Sequence, residues 1–182
     1  GRDMFWDKIS GVYDLFEMIY NGKVYRNLGR EIAEEIGHDD IVLECACGTG
    51  AISKWIAPKC RYLIATDLSD KMLQQTAGKC RKYHNVKIRR ADVTWLKCRD
   101  NRFDKVVAGN VIHLLDDPYA AVKEMERVCK KGGKIIIPTY INASAGTNQL
   151  VLRMLALVGV TFKRQFDMES YRKFFEAAGY EK

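Results

Sequence analysis

Hydrophobic positions change their spacing several times along the chain, and each change predicts a new element of structure. Apolar residues recur every three or four positions over residues 5–20 and again over 24–36, which predicts two helices. From residue 41 onward, short continuous apolar runs take over, a pattern typical of strands that are buried on both faces. Five such runs predict strands, at 41–43, 62–65, 86–91, 103–108 and 134–137.

Further helices are predicted between and after these strands. They cover 51–57, 69–80, a segment that starts at 116–118, 147–157 and 168–178. Ser69 suits the N-cap of its helix, and Pro118 suits a first helical turn. Because strands alternate with helices, we predict an α/β fold with one parallel sheet, right-handed crossovers and helices on both faces.

Composition narrows the class of protein. The chain has 182 residues, of which 47% are hydrophobic, enough for one domain with a real core and too many for a collagen-like or disordered chain. Its longest apolar stretch, 150–160, contains Arg153 and is shorter than the roughly 20 residues that a membrane-spanning helix needs. The sequence opens without a signal-peptide pattern, so we expect one soluble domain, 1–182, in the cytoplasm.

The six cysteines do not have the spacing of a metal site. The sequence contains no C-x-x-C pair and no nearby pair of histidines that would complete a zinc site. In a reducing compartment such cysteines are most simply free thiols in or near the core. We therefore expect no bound metal ion.

The charge of the chain is uneven. The formal net charge is +7, and ten lysines and arginines lie between Lys79 and Lys105 against Asp92, Asp100 and Asp104. Such a basic patch, 79–105, can attract nucleic acid, an anionic membrane surface or an acidic substrate. It can equally be a solvated face that keeps the protein soluble, and that interpretation is the simpler one.

Acidic residues mark the ends of the predicted strands, where an open parallel sheet binds its ligands. Glu44 ends the first strand and is followed by Gly48-Thr49-Gly50. A dinucleotide fingerprint needs a third glycine, but Ser53 stands at that position, and the Glu44 carboxylate would repel a diphosphate. The same carboxylate suits a cation, such as an α-ammonium group beside a sulfonium.

The next two strand ends also carry a carboxylate. Asp67 can accept hydrogen bonds from both hydroxyls of a ribose. Asp92 can accept from the exocyclic amine of an adenine, with Leu68 and Met72 beside the ring. Together these positions describe an adenosine that is linked to a positively charged amino acid. That compound is S-adenosylmethionine, whose product after methyl transfer is S-adenosylhomocysteine.

Five motifs in a fixed order resemble those of class I S-adenosylmethionine-dependent methyltransferases. They are LECACGTG at 43–50, ATDLS at 65–69, ADV at 91–93, FDKVVAGNVIH at 103–113 and VCKKGGK at 128–134. The segment FWDKISGVYD at 5–14 resembles the entry helix of the branch that contains quinone-biosynthesis C-methyltransferases. The resemblance therefore covers nearly the whole chain.

The resemblance implies a role for most of these residues. Glu44 and the glycine loop, with Thr49 at its centre, would hold the methionine part of the cofactor. Asp67 would hold the ribose, and Asp92 with Val93 would hold the adenine.

Four further positions bear on the cofactor and the chemistry. The backbone at Asn110 would contact the methionine end, and Tyr13 would close over the cofactor from the entry helix. Ala46 departs from the family, which usually has glycine there, and its methyl group would narrow the pocket. His113 follows the fourth strand on the predicted substrate side. It could act as a general base or simply pack against a helix.

The family fold implied is a Rossmann-like, doubly wound parallel sheet with the strand order 3-2-1-4-5. Members of the family add a final antiparallel hairpin. This sequence ends at 179–182, where the hairpin would begin, so we expect either a truncated chain or a sheet edge that is completed in another way. Within the domain, 1–38 would form N-terminal helices, 39–140 the cofactor-binding core, and 141–182 a lid-like segment and the last helix.

The reaction implied is an in-line transfer of a methyl group to a small-molecule acceptor. Large apolar residues at 148–166 fit a cap over an apolar acceptor or contact with a membrane surface, and equally a helix that covers the sheet. One alternative is an RNA methyltransferase that uses the basic patch. The motif after the fourth strand lacks the tetrad for base-amine methylation, so we expect no nucleic-acid partner. Another alternative is a cofactor-binding scaffold without activity.

Overall fold

A computed structural model of the chain describes residues 22–109 and 115–138, together with 173, 176 and 177. The helices predicted at 5–20 and 147–157 lie outside these residues. Of the helix predicted at 168–178, the three described residues are helical. The predicted division into N-terminal helices, core and lid therefore stays a prediction.

Nine elements follow one another in the described chain. They are α1 (Gly22–Glu34), β1 (Ile41–Glu44), α2 (Ser53–Ile56), β2 (Tyr62–Asp67), α3 (Asp70–Lys79), β3 (Val86–Arg90), β4 (Phe103–Val107), α4 (Pro118–Val128) and β5 (Cys129–Ile136). Each of the five predicted strands is present. β5 begins five residues earlier than predicted, because Cys129 already pairs with Phe103 before an irregularity in the register.

The sheet has the order β3-β2-β1-β4-β5, and every pair of neighbouring strands is parallel. The predicted Rossmann-like fold and its strand order are confirmed. Glu44, the last residue of β1, lies level with Ala65 of β2 and Val107 of β4. The order reverses at β1, so the crevice for a ligand lies at the carboxyl ends of β1, β2 and β4.

The core lies on both faces of this sheet, as the continuous apolar strands predict. Side chains alternate along a strand, so Val42 and Leu43 enter opposite clusters. Leu43 packs with Met125 of α4, whereas Val42 packs with Ile56 of α2 and Ile32 of α1. Burial on both sides holds the strand ends in fixed positions, which a binding site at those ends requires. No described helix is both long enough and apolar enough to cross a bilayer.

An irregular segment, 91–102, takes the place of a helix between β3 and β4. Val93 and Leu96 bury their side chains in the same cluster as α4. The guanidinium group of Arg127 donates to the carbonyl oxygens of Leu96 at 2.8 Å and Cys98 at 2.7 Å, and pairs with Asp100 at 2.7 Å. These contacts fix the connection that begins immediately after the third strand.

Two carboxylates of the basic patch form ion pairs with cations that lie outside the patch. Asp100 pairs with Arg127, and Asp104 accepts from Lys130 at 3.0 Å. Lys105 pairs outside the patch with Asp40 at 2.8 Å. These ion pairs join the charged face to neighbouring elements of the fold. The expectation that the protein has no nucleic-acid partner stays a prediction.

Candidate cofactor-binding site

The loop between β1 and α2 turns sharply beneath the ligand crevice. Ala46, Gly48 and Gly50 all have left-handed backbone angles, with φ of 51°, 56° and 86°. The backbone N–H of Cys47 donates to the carbonyl oxygen of Thr66 in β2 at 2.8 Å. The loop is therefore anchored to the neighbouring strand while its glycines reverse the chain direction.

The two glycines of this loop have different surroundings. A Cβ atom built on Gly50 would lie 2.9 Å from the Cα atom of Thr76 in α3. A Cβ atom built on Gly48 would meet no heavy atom within 4 Å. Gly50 is thus required by packing against α3. Gly48 leaves space beside the backbone that a ligand can use.

Glu44 lies at the end of β1 with only 1% of its surface exposed. The hydroxyl group of Ser53 donates to its Oε2 atom at 2.5 Å. Burial raises the pKa of the Glu44 carboxyl group to about 8; the bond from Ser53 opposes this rise, and the charge of Asp67 adds to it. At neutral pH the group therefore holds its proton unless a cation lies against it.

Asp67 connects three parts of the site. Its Oδ2 atom accepts from the backbone N–H of Gly48 at 2.8 Å, and its Oδ1 atom accepts from the N–H of Ser69 at 3.0 Å. The carboxylate thus fixes the glycine loop against the end of β2 and the start of α3. A carboxylate oxygen can accept more than one hydrogen bond, so these contacts are compatible with a ribose.

The predicted adenine side is assembled from the ends of β2 and β3. Asp92 accepts two bonds from Thr94, from the backbone N–H at 2.8 Å and from the hydroxyl group at 2.7 Å. Leu68 is half-buried, whereas the side chains of Met72 and Val93 belong to the buried core. Of these three, Leu68 is the residue with a partly exposed apolar side chain.

Three polar side chains in and near the loop, among them the predicted cofactor-binding residue Thr49, have surroundings that the sequence does not predict. Thr49 is 2% exposed, and its hydroxyl group has no hydrogen-bond partner among the described residues. Thr76 donates to the carbonyl oxygen of Gly48 at 2.8 Å. Ser53, which donates to Glu44, stands where a dinucleotide fingerprint has its third glycine, and the sequence pattern gives it no other role. Nothing in the local sequence pattern points to Thr76, because its contact spans 28 residues.

Several predicted site residues lie outside the described chain. These are Tyr13, Asn110, His113 and the segment 148–166. Their roles in closing the site, contacting the methionine end, acting as a base and covering the acceptor stay predictions. The described chain brings together Glu44, Ala46, the 48–50 loop and Asp67.

A family model described as "Methyltransferase domain" matches residues 43–137, which include the end of β1 and all of β2 to β5. The chain belongs to this methyltransferase family. The match begins one residue before Glu44, so it includes the glycine loop and all three strand-end carboxylates. The resemblance seen in the sequence motifs is confirmed.

Curated relatives place this chain near one branch of the family. Demethylmenaquinone methyltransferase of Staphylococcus saprophyticus is 29% identical over 141 residues, which are 74% of this chain and 60% of the relative. The enzyme of the same name from Staphylococcus aureus JH9 is 30% identical over 137 residues, 72% of this chain and 56% of the relative. The chain thus spans less than two thirds of the length of these relatives. They confirm the resemblance to the quinone-methyltransferase branch.

Solved structures share the fold of this chain. An S-adenosylmethionine-dependent methyltransferase from Thermotoga maritima superposes with a TM-score of 0.74 at 21% identity, covering 98% of this chain and 81% of its own. Phosphoethanolamine N-methyltransferase 1 of Haemonchus contortus superposes with a TM-score of 0.67 at 18% identity, covering 76% and 31%. The latter was solved with phosphoethanolamine and S-adenosylhomocysteine.

Replacing Ala46 with glycine should stabilise the protein. Alanine in the left-handed region carries a steric cost that glycine lacks, and this exceeds the extra chain entropy of an unfolded glycine. We expect the free energy of unfolding to rise by roughly 0.5–1 kcal/mol, measured by denaturant unfolding.

Ala77→Gly is the matched control for this variant. Ala77 is exposed within α3, in ordinary helical backbone, so the same change should lower the free energy of unfolding by roughly 0.5–1 kcal/mol. If both variants lose stability equally, the left-handed angle at Ala46 is not a source of strain.

Proposed function

We propose that this protein transfers the methyl group of S-adenosylmethionine to a small apolar acceptor of the reduced-quinone class and releases S-adenosylhomocysteine. The observation that carries the proposal is the bond between Asp67 and the backbone N–H of Gly48, which brings the second strand-end carboxylate to the glycine loop that follows Glu44. Two acidic groups around an open glycine suit a ribose and a cation. They do not suit a diphosphate.

The residues present fit this cofactor. The space beside Gly48 lets a ligand approach the backbone, and the unpartnered hydroxyl group of Thr49 is a buried polar atom in the same loop. Once ionised, Glu44 would favour the positively charged methionine part, because little water screens the two charges at this buried position. Asp67 would hold the ribose, and Asp92 with Leu68 would flank the adenine.

The acceptor class is supported by the curated relatives. Their names describe methylation of demethylmenaquinone, an acceptor with an apolar tail, and the apolar segment 148–166 suits a cover over such a compound. A reduced quinone ring offers a carbon nucleophile once a hydroxyl proton leaves. The new carbon–methyl bond would form as the sulfur–methyl bond breaks, and the ring carbon would then lose its hydrogen as a proton, which restores the aromatic ring. His113 is the proposed acceptor of that proton, and Tyr13 is proposed to close the site.

The chain's contribution to the reaction is alignment. S-adenosylmethionine, when bound, supplies an electrophilic methyl group on a positively charged sulfur. The fixed ends of β1 and β2 would hold the methionine and ribose parts so that the acceptor meets the methyl carbon in line. Such positioning can lower a barrier by about 7–11 kcal/mol, and a closed site also excludes water that would compete with the acceptor.

Substitutions of the two loop glycines should separate folding from binding. Gly48→Ala should keep the fold, at a cost of about 1–2 kcal/mol for its left-handed angle, yet lose most affinity for S-adenosylmethionine, because the new methyl group fills the open space. Gly50→Ala should fold poorly, because its methyl group meets the backbone of Thr76. Thermal unfolding with and without the cofactor measures both effects.

Gly78→Ala is the control for this pair. Gly78 lies in α3 with open space around an added Cβ atom and no left-handed angle, so alanine should raise the melting temperature and leave binding unchanged. Undiminished cofactor binding by Gly48→Ala would argue against a ligand at this loop.

A methyl-transfer assay tests the proposed function. Each reaction contains the chain, S-adenosylmethionine labelled in its methyl group, and one candidate acceptor. The acceptors are a reduced prenylated naphthoquinone, a reduced prenylated benzoquinone, phosphoethanolamine, histamine and unmodified RNA. We expect label in a reduced quinone. Transfer to RNA or to an amine instead would replace the proposed acceptor class. Binding of the cofactor without transfer to any compound would favour the scaffold.

A further inference from the structure

Ser53 and Glu44 form one buried unit on the two sides of the glycine loop. Glu44 ends β1 and Ser53 begins α2, nine residues later. Both side chains are buried, with 1% of Glu44 and none of Ser53 exposed. The distance from the serine Oγ atom to Oε2 of the glutamate is 2.5 Å, which is within the range of a hydrogen bond between two oxygens.

The other titratable groups around Glu44 do not favour its negative charge. Those that interact with it electrostatically are Asp67 at the end of β2, Cys45 and Cys47 in the loop, and Cys80 at the end of α3. Burial raises the pKa of all three thiols, so they are neutral near pH 7. No described cationic side chain forms an ion pair with Glu44. Ser53 is thus the described side chain that opposes the effect of burial.

We propose that Ser53 is a positioning residue for Glu44: its hydroxyl group orients the carboxyl group and favours the ionised form, and it thereby sets the pH above which the positively charged cofactor binds tightly. The proposal rests on the proposed function for the identity of that cofactor. It assigns a role in cofactor binding to a residue outside the Gly48–Gly50 loop. That residue stands at the position where a dinucleotide fingerprint has its third glycine.

The physical reason is a coupled equilibrium. At neutral pH the buried carboxyl group must lose its proton before it can neutralise a cation, so binding releases a proton and strengthens as the pH rises towards about 8. A hydroxyl donor stabilises the ionised form. Without this donor, the carboxyl group ionises at a higher pH, and tight binding of the cofactor begins at a higher pH as well.

The test is the pH dependence of affinity for S-adenosylmethionine, measured by isothermal titration calorimetry between pH 6 and pH 9. For Ser53→Ala we expect the midpoint of the rise in affinity to move upward by about one pH unit, the equivalent of one lost hydrogen bond to a charged group. For Ser53→Thr, which keeps the hydroxyl group, we expect the wild-type midpoint even if the added methyl group lowers the melting temperature.

Ser69→Ala controls for the loss of a buried serine at the start of a helix. Ser69 caps α3 by accepting from the N–H of Met72 at 3.1 Å. Its hydroxyl group forms no bond to Glu44. This variant should lower the melting temperature without moving the midpoint. If Ser53→Ala behaves in the same way as Ser69→Ala, the serine is structural only and the proposal is wrong.

Infrared titration of the protein without cofactor separates the two proposals. The carbonyl band of the protonated Glu44 carboxyl group is identified by its loss in Glu44→Gln, and its disappearance with rising pH is followed in the wild type and in Ser53→Ala. Suppose that the band disappears at a higher pH in Ser53→Ala than in the wild type, but that neither protein binds the cofactor. This result would refute the proposed function and the link to cofactor binding, and the effect of Ser53 on Glu44 would still stand. No shift in this band would refute the inference even if the wild type binds S-adenosylmethionine.

Discussion

Asp67→Asn should weaken binding of S-adenosylmethionine by about 10- to 100-fold, because each hydrogen bond to a charged group contributes about 1.5–3 kcal/mol. The amide keeps one oxygen but replaces the other with a donor. The new NH₂ group cannot accept a hydrogen bond. The variant therefore loses an acceptor for a ribose hydroxyl or for one of the backbone N–H groups of Gly48 and Ser69, which now donate to the carboxylate. Calorimetric titration of the purified variant measures the affinity directly.

This prediction differs from what the sequence alone suggests. From the sequence, Asp67 is predicted only to hold the ribose of a ligand. In the structure its two oxygens also connect the glycine loop to α3, so we expect a lower melting temperature together with the loss of affinity.

Asp70→Asn is the matched control for Asp67→Asn. Asp70 is the exposed first residue of α3 and pairs with Arg90 at 3.4 Å on the surface. Its substitution should change neither quantity by much, because exposed ion pairs contribute little. Equal affinity of the wild type and Asp67→Asn would remove Asp67 from the site.

Glu44→Gln should make the protein more stable above pH 8 and less able to bind its cofactor. The folded state holds the Glu44 proton up to about pH 8, whereas an unfolded chain releases it near the ordinary value of 4.5. The folded state therefore binds more protons over this interval, and the free energy of unfolding falls as the pH rises from about 4.5 to 8. Glutamine does not ionise, so the variant lacks that loss.

Denaturant unfolding from pH 5 to pH 9 checks the first half of this prediction. The difference between Glu44→Gln and the wild type cancels contributions from other titrating groups, and it should grow with pH and level off above about 8. We expect a final difference of a few kcal/mol. A difference that does not change with pH would mean that Glu44 is already ionised in the folded protein without cofactor.

Cofactor binding checks the second half. The variant should lose at least tenfold in affinity at pH 8, because a buried negative partner for the cation is gone. A more stable protein that binds less well is the signature of a group kept for function at the expense of stability. Higher stability with unchanged affinity would place the cation away from Glu44.

The architecture could be predicted because its signals are local. Continuous apolar strands that alternate with helices already define a parallel sheet, and Asp117 and Pro118 mark the start of α4 in the sequence as they do in the structure. The strand order came from the resemblance in the motifs. The extended start of β5 could not be read in advance, since Cys129 pairs with Phe103 through a contact that no local pattern records.

The acidic residues at the strand ends could be predicted from the sequence. The hydrogen bonds that determine their orientation and protonation could not. Glu44 and Asp67 follow from their places at the ends of apolar runs. The contacts that hold them, from Ser53 and from the backbone of Gly48, depend on how the loop folds back between two strands. The sequence therefore predicts a charged Glu44, whereas burial in the folded chain keeps it neutral at pH 7 without a cation.

A crystal structure of this chain with S-adenosylhomocysteine tests the central claim most directly. The account predicts the ribose hydroxyls on the carboxylate of Asp67, the amino-acid part beside the Gly48–Gly50 loop near Glu44, and the adenine near Asp92. Electron density for the ligand at any other place on the sheet, or a dinucleotide diphosphate retained on the glycine loop in its stead, would contradict it.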